Sequence, residues 1–271
     1  MTTFKLAALQ MTSLADKNAN LHAASRLVSM AAQQGAAWVG LPENCLWMGP
    51  PREAAQAAET LEGPSVSAMA SLAKSLGVGI LLGSVLEKRE GGQKPYNSSV
   101  LLSPEGERLG VYRKIHLFDA ELETQHRESD ITSPGDCAVC VQTPVAAMGL
   151  SICYDLRFPE LFRQLVAQGA QLLWTPSAFT WETGRVHWEV LLRARAIENL
   201  CWLAAPAQVG QHGPKRKTFG HAMVVDPWGK VVALCEEGEG MALAEVDLKL
   251  LAEVRGRLPA LKHRRFKVEA S

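Results

Sequence analysis

A chain of 271 residues can bury a large core, and 47% hydrophobic against 21% charged residues is ordinary for a soluble globular protein. Lysine plus arginine and aspartate plus glutamate stand at 28 each, so no net field recruits nucleic acid or anionic lipid. The opening "MTTFKLAALQ" lacks the charged-then-apolar pattern of a signal peptide, and no apolar run reaches membrane-spanning length. A soluble, cytoplasmic protein is expected, with neither nucleic acid nor a membrane as partner.

In chain order, "FKLAALQ" reads as a strand, and "NANLHAASRLVSMAAQQGA" as an amphipathic helix ending near Gly35. "AWVGLP" is a short buried strand, "PSVSAMASLAKSLG" a helix closed at Gly77, and "VGILLGSVLEK" a strand. "YNSSVLLSP" and "ERLGVYRK", joined through Ser103-Pro104-Glu105-Gly106, form a hairpin. The strand "VAAMGLSI", the helix "PELFRQLVAQGA" and the strand "QLLWTP" follow. A helix from about Arg185 to Asn199 carries Trp188, Leu191, Leu192 and Arg195 at helical spacing. "LCWLAAPAQ", "GHAMVVD" and "KVVALC" are strands, the last two joined by "PWG", and "MALAEVD" leads into a short final helix.

Alternating strands and helices with some hairpins make an α/β protein with strands enough for two sheets. No linker rich in proline, glycine or serine divides it. The expectation is one domain over 1–271, with its core at about 4–250 and a basic tail at about 256–271 that is exposed or packs on a partner subunit.

The six cysteines are sparse for this length, and reduced thiols are expected. Cys137 and Cys140 form a C-x-x-C, but no second such pair or paired histidines accompany it. In an extended "CAVCVQT", residues three apart face opposite sides, so the two sulfurs diverge. No metal and no cofactor is called for.

Ligands in open α/β sheets gather beyond the carboxyl ends of strands. Glu43 follows the strand "AAWVGLP", Lys114 closes "ERLGVYR", and Cys153 closes "VAAMGLSI". Singly, each has an ordinary reading. Cys153 could fill the core, Glu43 could cap a turn, and Lys114 could protect an edge strand. Together, three reactive side chains at three strand ends favour a site. Gly149 and Ser151 alternate onto the face of Cys153, while Met148, Leu150 and Ile152 take the other, which suggests that the cysteine side borders open space. A helix begins near Pro159, and a helix start acidifies a nearby thiol.

The words "LPE", "YRKIHLF" and "ICYDLRFPE" carry a resemblance to the carbon–nitrogen hydrolase (nitrilase) superfamily, which runs from the first strand to about Asp247. The resemblance implies a four-layer α-β-β-α sandwich, a homodimer or larger homo-oligomer, and a Glu43–Lys114–Cys153 triad. Glu128 in "HRESDITSPGD" matches the family's second glutamate, implied to orient Lys114 or the substrate amide. "PSAFTWETGRVHWEVLLRARAIEN" and "FGHAMVVDPWG" resemble the Nit branch of amidases. That branch implies a small-molecule amide as substrate, deaminated glutathione first, with omega-amidase activity on 2-oxoglutaramate or 2-oxosuccinamate as the alternative. The loop "DAELETQHRESD" departs from the family's glycine-containing segment.

In the mechanism this implies, Cys153 attacks the amide carbonyl and Glu43 takes the thiol proton, passes it to the leaving amine and later activates water against the thioester. A carboxylate and a thiol differ by about four pKa units in water, a gap that burial and the Lys114 charge must narrow. Lys114 and the backbone N–H of Tyr154 bind the oxyanion. Arg157, Lys215, Arg216 and Lys217 are candidates for a substrate carboxylate. Arg157 has an internal ion pair with Asp155 or Glu160 as its alternative, and the lysine–arginine run has a solvated loop. Ser177, Phe179 and Thr180 follow the strand "QLLWTP" and so border the site, with ordinary packing as the alternative for Phe179. Two other readings remain: a binding protein that keeps the fold without activity, and a thiol redox protein using Cys137 and Cys140.

Overall fold

The computed structural model describes residues 3–121, 125–214 and 216–266. The chain opens with β1 (Thr3–Met11), α1 (Lys17–Gln33) and β2 (Trp38–Gly40), then the single turn α2 (Ala54–Ala57) and α3 (Pro64–Leu76). β3 (Gly79–Glu87), β4 (Tyr96–Leu102) and β5 (Arg108–Arg113) form an antiparallel meander. A small hairpin, β6 (Asp119–Glu121) with β7 (Gln125–Arg127), lies in the loop that departs from the family pattern. Next come β8 (Val139–Gln142), β9 (Ala147–Leu150), α4 (Pro159–Ala167), β10 (Leu172–Trp174) and α5 (Trp181–Asn199). β11 (Trp202–Ala205), β12 (Ala207–Gln211), β13 (Lys217–Phe219), β14 (Ala222–Val225), β15 (Val231–Cys235), β16 (Gly240–Asp247) and α6 (Leu248–Arg257) complete the order.

The strands form an eight-stranded sheet, β13-β12-β1-β2-β3-β4-β5 with β16 alongside β1, and a six-stranded sheet, β15-β14-β11-β10-β9-β8. The expected α-β-β-α sandwich is the observed one. Alternation along β1 shows how it is built. Leu6 and Ala8 join the core between the sheets, while Ala7, Leu9 and Met11 join the layer beneath α1 and α3. A strand buried on both faces reads as a near-continuous apolar run, as "LAAL" does.

The helices follow from their stripes and caps. Asp16 Oδ1 accepts Ala19 N–H at the start of α1, and Ala24, Leu27, Val28 and Ala31 face the sheet. On α4, Leu161, Phe162, Leu165 and Val166 pack over the second sheet. Each such buried side chain contributes about 1.5–3 kcal/mol. α5 begins at Trp181, one turn before the sequence pattern indicates, because the Thr180 hydroxyl accepts Thr183 N–H as its cap.

The segment "LCWLAAPAQ" is two strands rather than one. β11 belongs to the six-stranded sheet and β12 to the eight-stranded sheet, and the chain changes sheets at Pro206. Proline has no N–H to continue a ladder, so the switch falls there. Ser177, beyond β10, makes a parallel bridge to Ala207, which ties the two sheets together beside the site.

The small face beside Cys153 has a different cause from the one expected. A Cβ on Gly149 would lie 3.0 Å from Leu173 and 3.1 Å from Leu165, and Ser151 is wholly buried with its hydroxyl on Trp174 O. Helix α4 fills that side, so these residues are small for close packing and do not hold a space open. Cys140 lies on β8, half-buried, while Cys137 precedes the strand and is exposed. Of the tail, residues 267–271 lie outside the described residues.

Candidate active site

The topology brings the three strand ends together. β2 and β3 run parallel, and two antiparallel steps through β4 make β5 run the same way as β3. Glu43 and Lys114 therefore leave the eight-stranded sheet at one edge. β9 and β10 are also parallel, so Cys153 and Ala178 leave the second sheet side by side.

Gly83 sets the path of the chain into Glu43. A Cβ there would sit 2.0 Å from Leu41 O and 2.4 Å from Pro42 O, so only glycine lets that backbone pass. Gln208 then fixes the glutamate's main chain, its Nε2 donating to Glu43 O at 2.9 Å. Cys153 sits at a sharp elbow between β9 and a short 3-10 turn over Cys153–Arg157, with φ at +50°. A non-glycine residue in this left-handed region is strained, and the bond from Cys153 N–H to Pro176 O at 3.0 Å helps to hold it.

Lys114 Nζ donates to Glu43 Oε1 at 2.8 Å and to Glu128 Oε2 at 2.7 Å. Asn97 Nδ2 bridges the same two carboxylates, 3.1 Å from Glu43 Oε1 and 3.0 Å from Glu128 Oε1. Lysine, glutamate, asparagine and glutamate thus close a ring. Ala178 N–H donates to Glu43 Oε2 at 2.9 Å, and Phe118 N–H donates to Glu128 Oε2 at 2.8 Å. Lys114 is only 1% exposed, so it is no edge-strand charge, although β5 is an edge strand.

Burial works to raise the Glu43 carboxyl pKa, but the Lys114 ammonium and the Cys153 thiol outweigh it and hold it below its ordinary value. Burial likewise opposes the Lys114 charge, yet Glu128 and Glu43 raise its pKa above the normal lysine range. Burial and the Glu43 charge push the Cys153 thiol well up against the pull of Lys114. The resting site is therefore an ammonium, an ionised Glu43 and a neutral thiol beside them.

Cys153 opens on a pocket of about 220 Å³ walled by Phe118, Tyr154 and Phe179, with Thr180, Thr183 and Arg157 around it. Arg157 makes no ion pair with Asp155 or Glu160. Its guanidinium lies over Phe179 at 5.4 Å and Tyr154 at 5.8 Å, with His187 Nδ1 at 3.4 Å. Ser177 does not reach the pocket, because it is wholly buried and its hydroxyl donates to Thr175 O. Lys217 Nζ sits 3.9 Å from the centre of the Trp181 ring, and Arg216 acts on Glu43 only through its charge. Lys215 lies outside the described residues.

Sequence reasoning missed Asn97, Thr183 and Asp155. Asp155 is wholly buried and takes a hydrogen bond from the Tyr112 hydroxyl at 2.7 Å. The signal for Asn97 was available: "YNSS" places consecutive polar residues in a strand, and Asn97, Ser98 and Ser99 are all buried.

An α-β-β-α sandwich holding a thiol, an ammonium and two carboxylates at shared strand ends defines a class of hydrolase. Residues 5–256 match the carbon–nitrogen hydrolase family, and the chain belongs to it. The chain is 42% identical to the deaminated glutathione amidase of Synechocystis sp. (strain PCC 6803 / GT-S), over 98% of this chain and 100% of that one. It is 46% identical to the nitrilase and fragile histidine triad fusion protein NitFhit of Drosophila melanogaster, over 96% of this chain and 57% of the fusion. The crystal structure of the C. elegans NitFhit protein superposes with a TM-score of 0.94 at 39% identity, covering 99% of this chain and 67% of that one.

Proposed function

We propose that the protein is an amidase that cleaves deaminated glutathione to 2-oxoglutarate and Cys-Gly through a thioester on Cys153. The observation that carries the chemistry is the Lys114 ammonium bonded to Glu43 at 2.8 Å, with the Cys153 thiol near enough for both charges to act on it. The substrate follows from the 42% identity with a relative of that name.

The charge pattern suits a concerted attack. A full thiolate is unfavourable in the resting pocket, so Glu43 takes the proton as sulfur bonds to the carbonyl carbon. That proton neutralises Glu43, and Lys114 loses one counter-charge as the carbonyl oxygen gains one. The ammonium is then available to the oxyanion, together with the N–H of Tyr154, the second residue of the 3-10 turn, where amides lack partners inside the turn. Glu43 next delivers the proton to the departing amine, water attacks the thioester with Glu43 as base, and the carboxylate product leaves. Glu128 and Asn97 hold Lys114 and Glu43 in place. Arg157, on its aromatic platform, binds the substrate carboxylate, and Phe179, Thr180 and Thr183 shape the wall.

We further infer a cytoplasmic homodimer. α5 leaves Val186 60% and Val190 66% exposed, an apolar stripe that a second copy would cover. Among the described residues, no helix is long and apolar enough to cross a membrane.

The test is release of 2-oxoglutarate from deaminated glutathione and from 2-oxoglutaramate by purified protein, with Cys153→Ala beside it. Deaminated glutathione should give the higher kcat/KM, and Cys153→Ala should abolish turnover. Equal or better turnover of 2-oxoglutaramate would overturn the substrate assignment. Undiminished hydrolysis by Cys153→Ala would overturn the nucleophile.

A further inference from the structure

We propose that Asp155 is a positioning residue that sets the separation of Lys114 and Cys153. The inference rests on the proposed function only in taking Cys153 as the nucleophile. Asp155 is wholly buried, and among the described residues neither lysine nor arginine is within ion-pair distance of it. A carboxylate in that position is costly unless hydrogen bonds satisfy both oxygens. Four do. Oδ2 accepts Ile152 N–H at 2.8 Å and the Tyr112 hydroxyl at 2.7 Å. Oδ1 accepts His116 N–H at 3.2 Å and faces His116 Nδ1 at 2.7 Å.

The donors are placed around the site in a telling way. Tyr112 lies two residues before Lys114 and His116 two residues after it, while Ile152 is the residue before Cys153. One carboxylate therefore binds both flanks of the lysine to the entry of the cysteine elbow, across two sheets. Burial and the Asp155 charge raise the Tyr112 phenol pKa well above its ordinary value, so that residue stays a donor. Facing the Asp155 oxygen at 2.7 Å, His116 Nδ1 serves as the donor. The ring is then fixed flat against Phe158, centroids 3.7 Å apart. Phe158 meets the pocket residue Tyr154 edge-on at 5.4 Å, so the clamp also reaches the wall beside the nucleophile.

A turn-capping role would need only the Ile152 bond. The three bonds to the flanks of Lys114 are what a cap does not explain. Catalysis needs the ammonium and the thiol in register, and misplacement by about 1 Å can cost about 100-fold in rate.

The test compares the full chain with Asp155→Asn, which keeps the shape but turns an NH2 group toward one of the converging donors. The measurements are kcat and KM for 2-oxoglutaramate, and the rate at which iodoacetamide alkylates Cys153, read by peptide mass spectrometry at about pH 7.5. For a folded variant, kcat should fall about 100-fold while KM stays within about threefold. Alkylation should slow about tenfold, since an ammonium displaced from the thiol leaves it less acidic. The sign matters. Removing a negative charge near the thiol without moving Lys114 would make the thiol more acidic and speed alkylation. Faster or unchanged alkylation, or kcat within about threefold of wild type, would overturn the proposal.

If Asp155→Asn does not fold, Tyr112→Phe and His116→Ala each remove donors from one flank only. Each should lower kcat about tenfold and slow alkylation, and unchanged values in both would overturn the proposal as well. A wild-type chain inactive on both amides fails the proposed function but leaves the alkylation comparison intact.

Discussion

Asn97 Nδ2 lies 3.1 Å from Glu43 Oε1 while donating also to Glu128 Oε1 at 3.0 Å. These two carboxylates fix the orientation of the amide, because reversing it would set Oδ1 against two acceptors. The consequence is a buried Asn97 Oδ1 without a partner among the described residues. Leaving such an atom unsatisfied costs about 1–3 kcal/mol, and the site keeps it in exchange for a neutral donor between two acids. Asn97→Ala should therefore lower kcat/KM about tenfold to a hundredfold, the worth of a hydrogen bond to a charged group. Asn97→Asp should do worse, because a third carboxylate would compete for one ammonium. Steady-state kinetics of the two variants checks the order.

Lys114 and Glu43 are paired, but their removal should have unequal effects on stability. Lys114→Met strands two carboxylates, of which Glu43 is 3% exposed, and breaking such a buried pair costs about 3–5 kcal/mol. Glu43→Gln leaves Lys114 its bond to Glu128 and mainly misplaces an NH2 against Ala178 N–H, a cost of about 1–3 kcal/mol. Both variants should lose turnover. Denaturant melts should rank Lys114→Met below Glu43→Gln, and the reverse order would contradict the ring of hydrogen bonds around the lysine.

Much of this was legible before the structure. Short apolar runs bounded by turn residues marked β1, β3 and β4, and three reactive residues at strand ends marked the candidate site. What was not legible depends on contacts distant in sequence. Pro206 reads as a break within one strand, and only the pairing of β12 with β1 shows that the chain changes sheets there. Gly149 reads as a residue facing space, because sequence shows that a side chain is small and not what fills the gap. Asp155 reads only as a possible ion-pair partner of Arg157, since its donors Tyr112 and His116 lie 43 and 39 residues away. Ser177 follows a strand as Thr180 does, yet its hydroxyl turns back to the main chain.

Among the described residues Arg157 has no ion-pair partner, and aromatic faces hold it at the edge of the pocket. Replacing it should change substrate choice more than chemistry. Arg157→Met should raise KM for an amide bearing a 2-oxo carboxylate about tenfold to a hundredfold, the worth of a charge-assisted hydrogen bond. Hydrolysis of a neutral amide of similar size should change little. Arg157→Lys should restore only part of the loss, since an ammonium lacks the planar fork. A uniform fall in kcat for charged and neutral amides would contradict a binding role.

His212 gives the fold a pH dependence whose sign can be worked out. It is 7% exposed, with Nδ1 at 2.8 Å from Ser13 O and Nε2 at 2.6 Å from Thr218 Oγ1. Ser13 O can only accept, so Nδ1 carries the proton and Nε2 takes the threonine hydroxyl. A second proton would break that bond. Burial, with a smaller contribution from the nearby Arg216 charge, pushes the imidazole down from 6.5 to about 4. Between these values the unfolded chain binds a proton that the folded chain refuses, so stability is present above pH 6.5 and is lost as pH falls toward 4. The difference corresponds to about 3 kcal/mol at full protonation of the unfolded chain. From 4.5 downward the burden grows, because Glu43 and Glu87 are both held below that ordinary carboxylate value and their contribution to stability is lost as pH falls. His212→Gln separates the contributions, because it cannot charge. Urea denaturation at about pH 7 and about pH 4.5 should show the wild type losing about 2–3 kcal/mol more than the variant between the two. Equal losses would mean that the buried histidine does not titrate as its hydrogen bonds require.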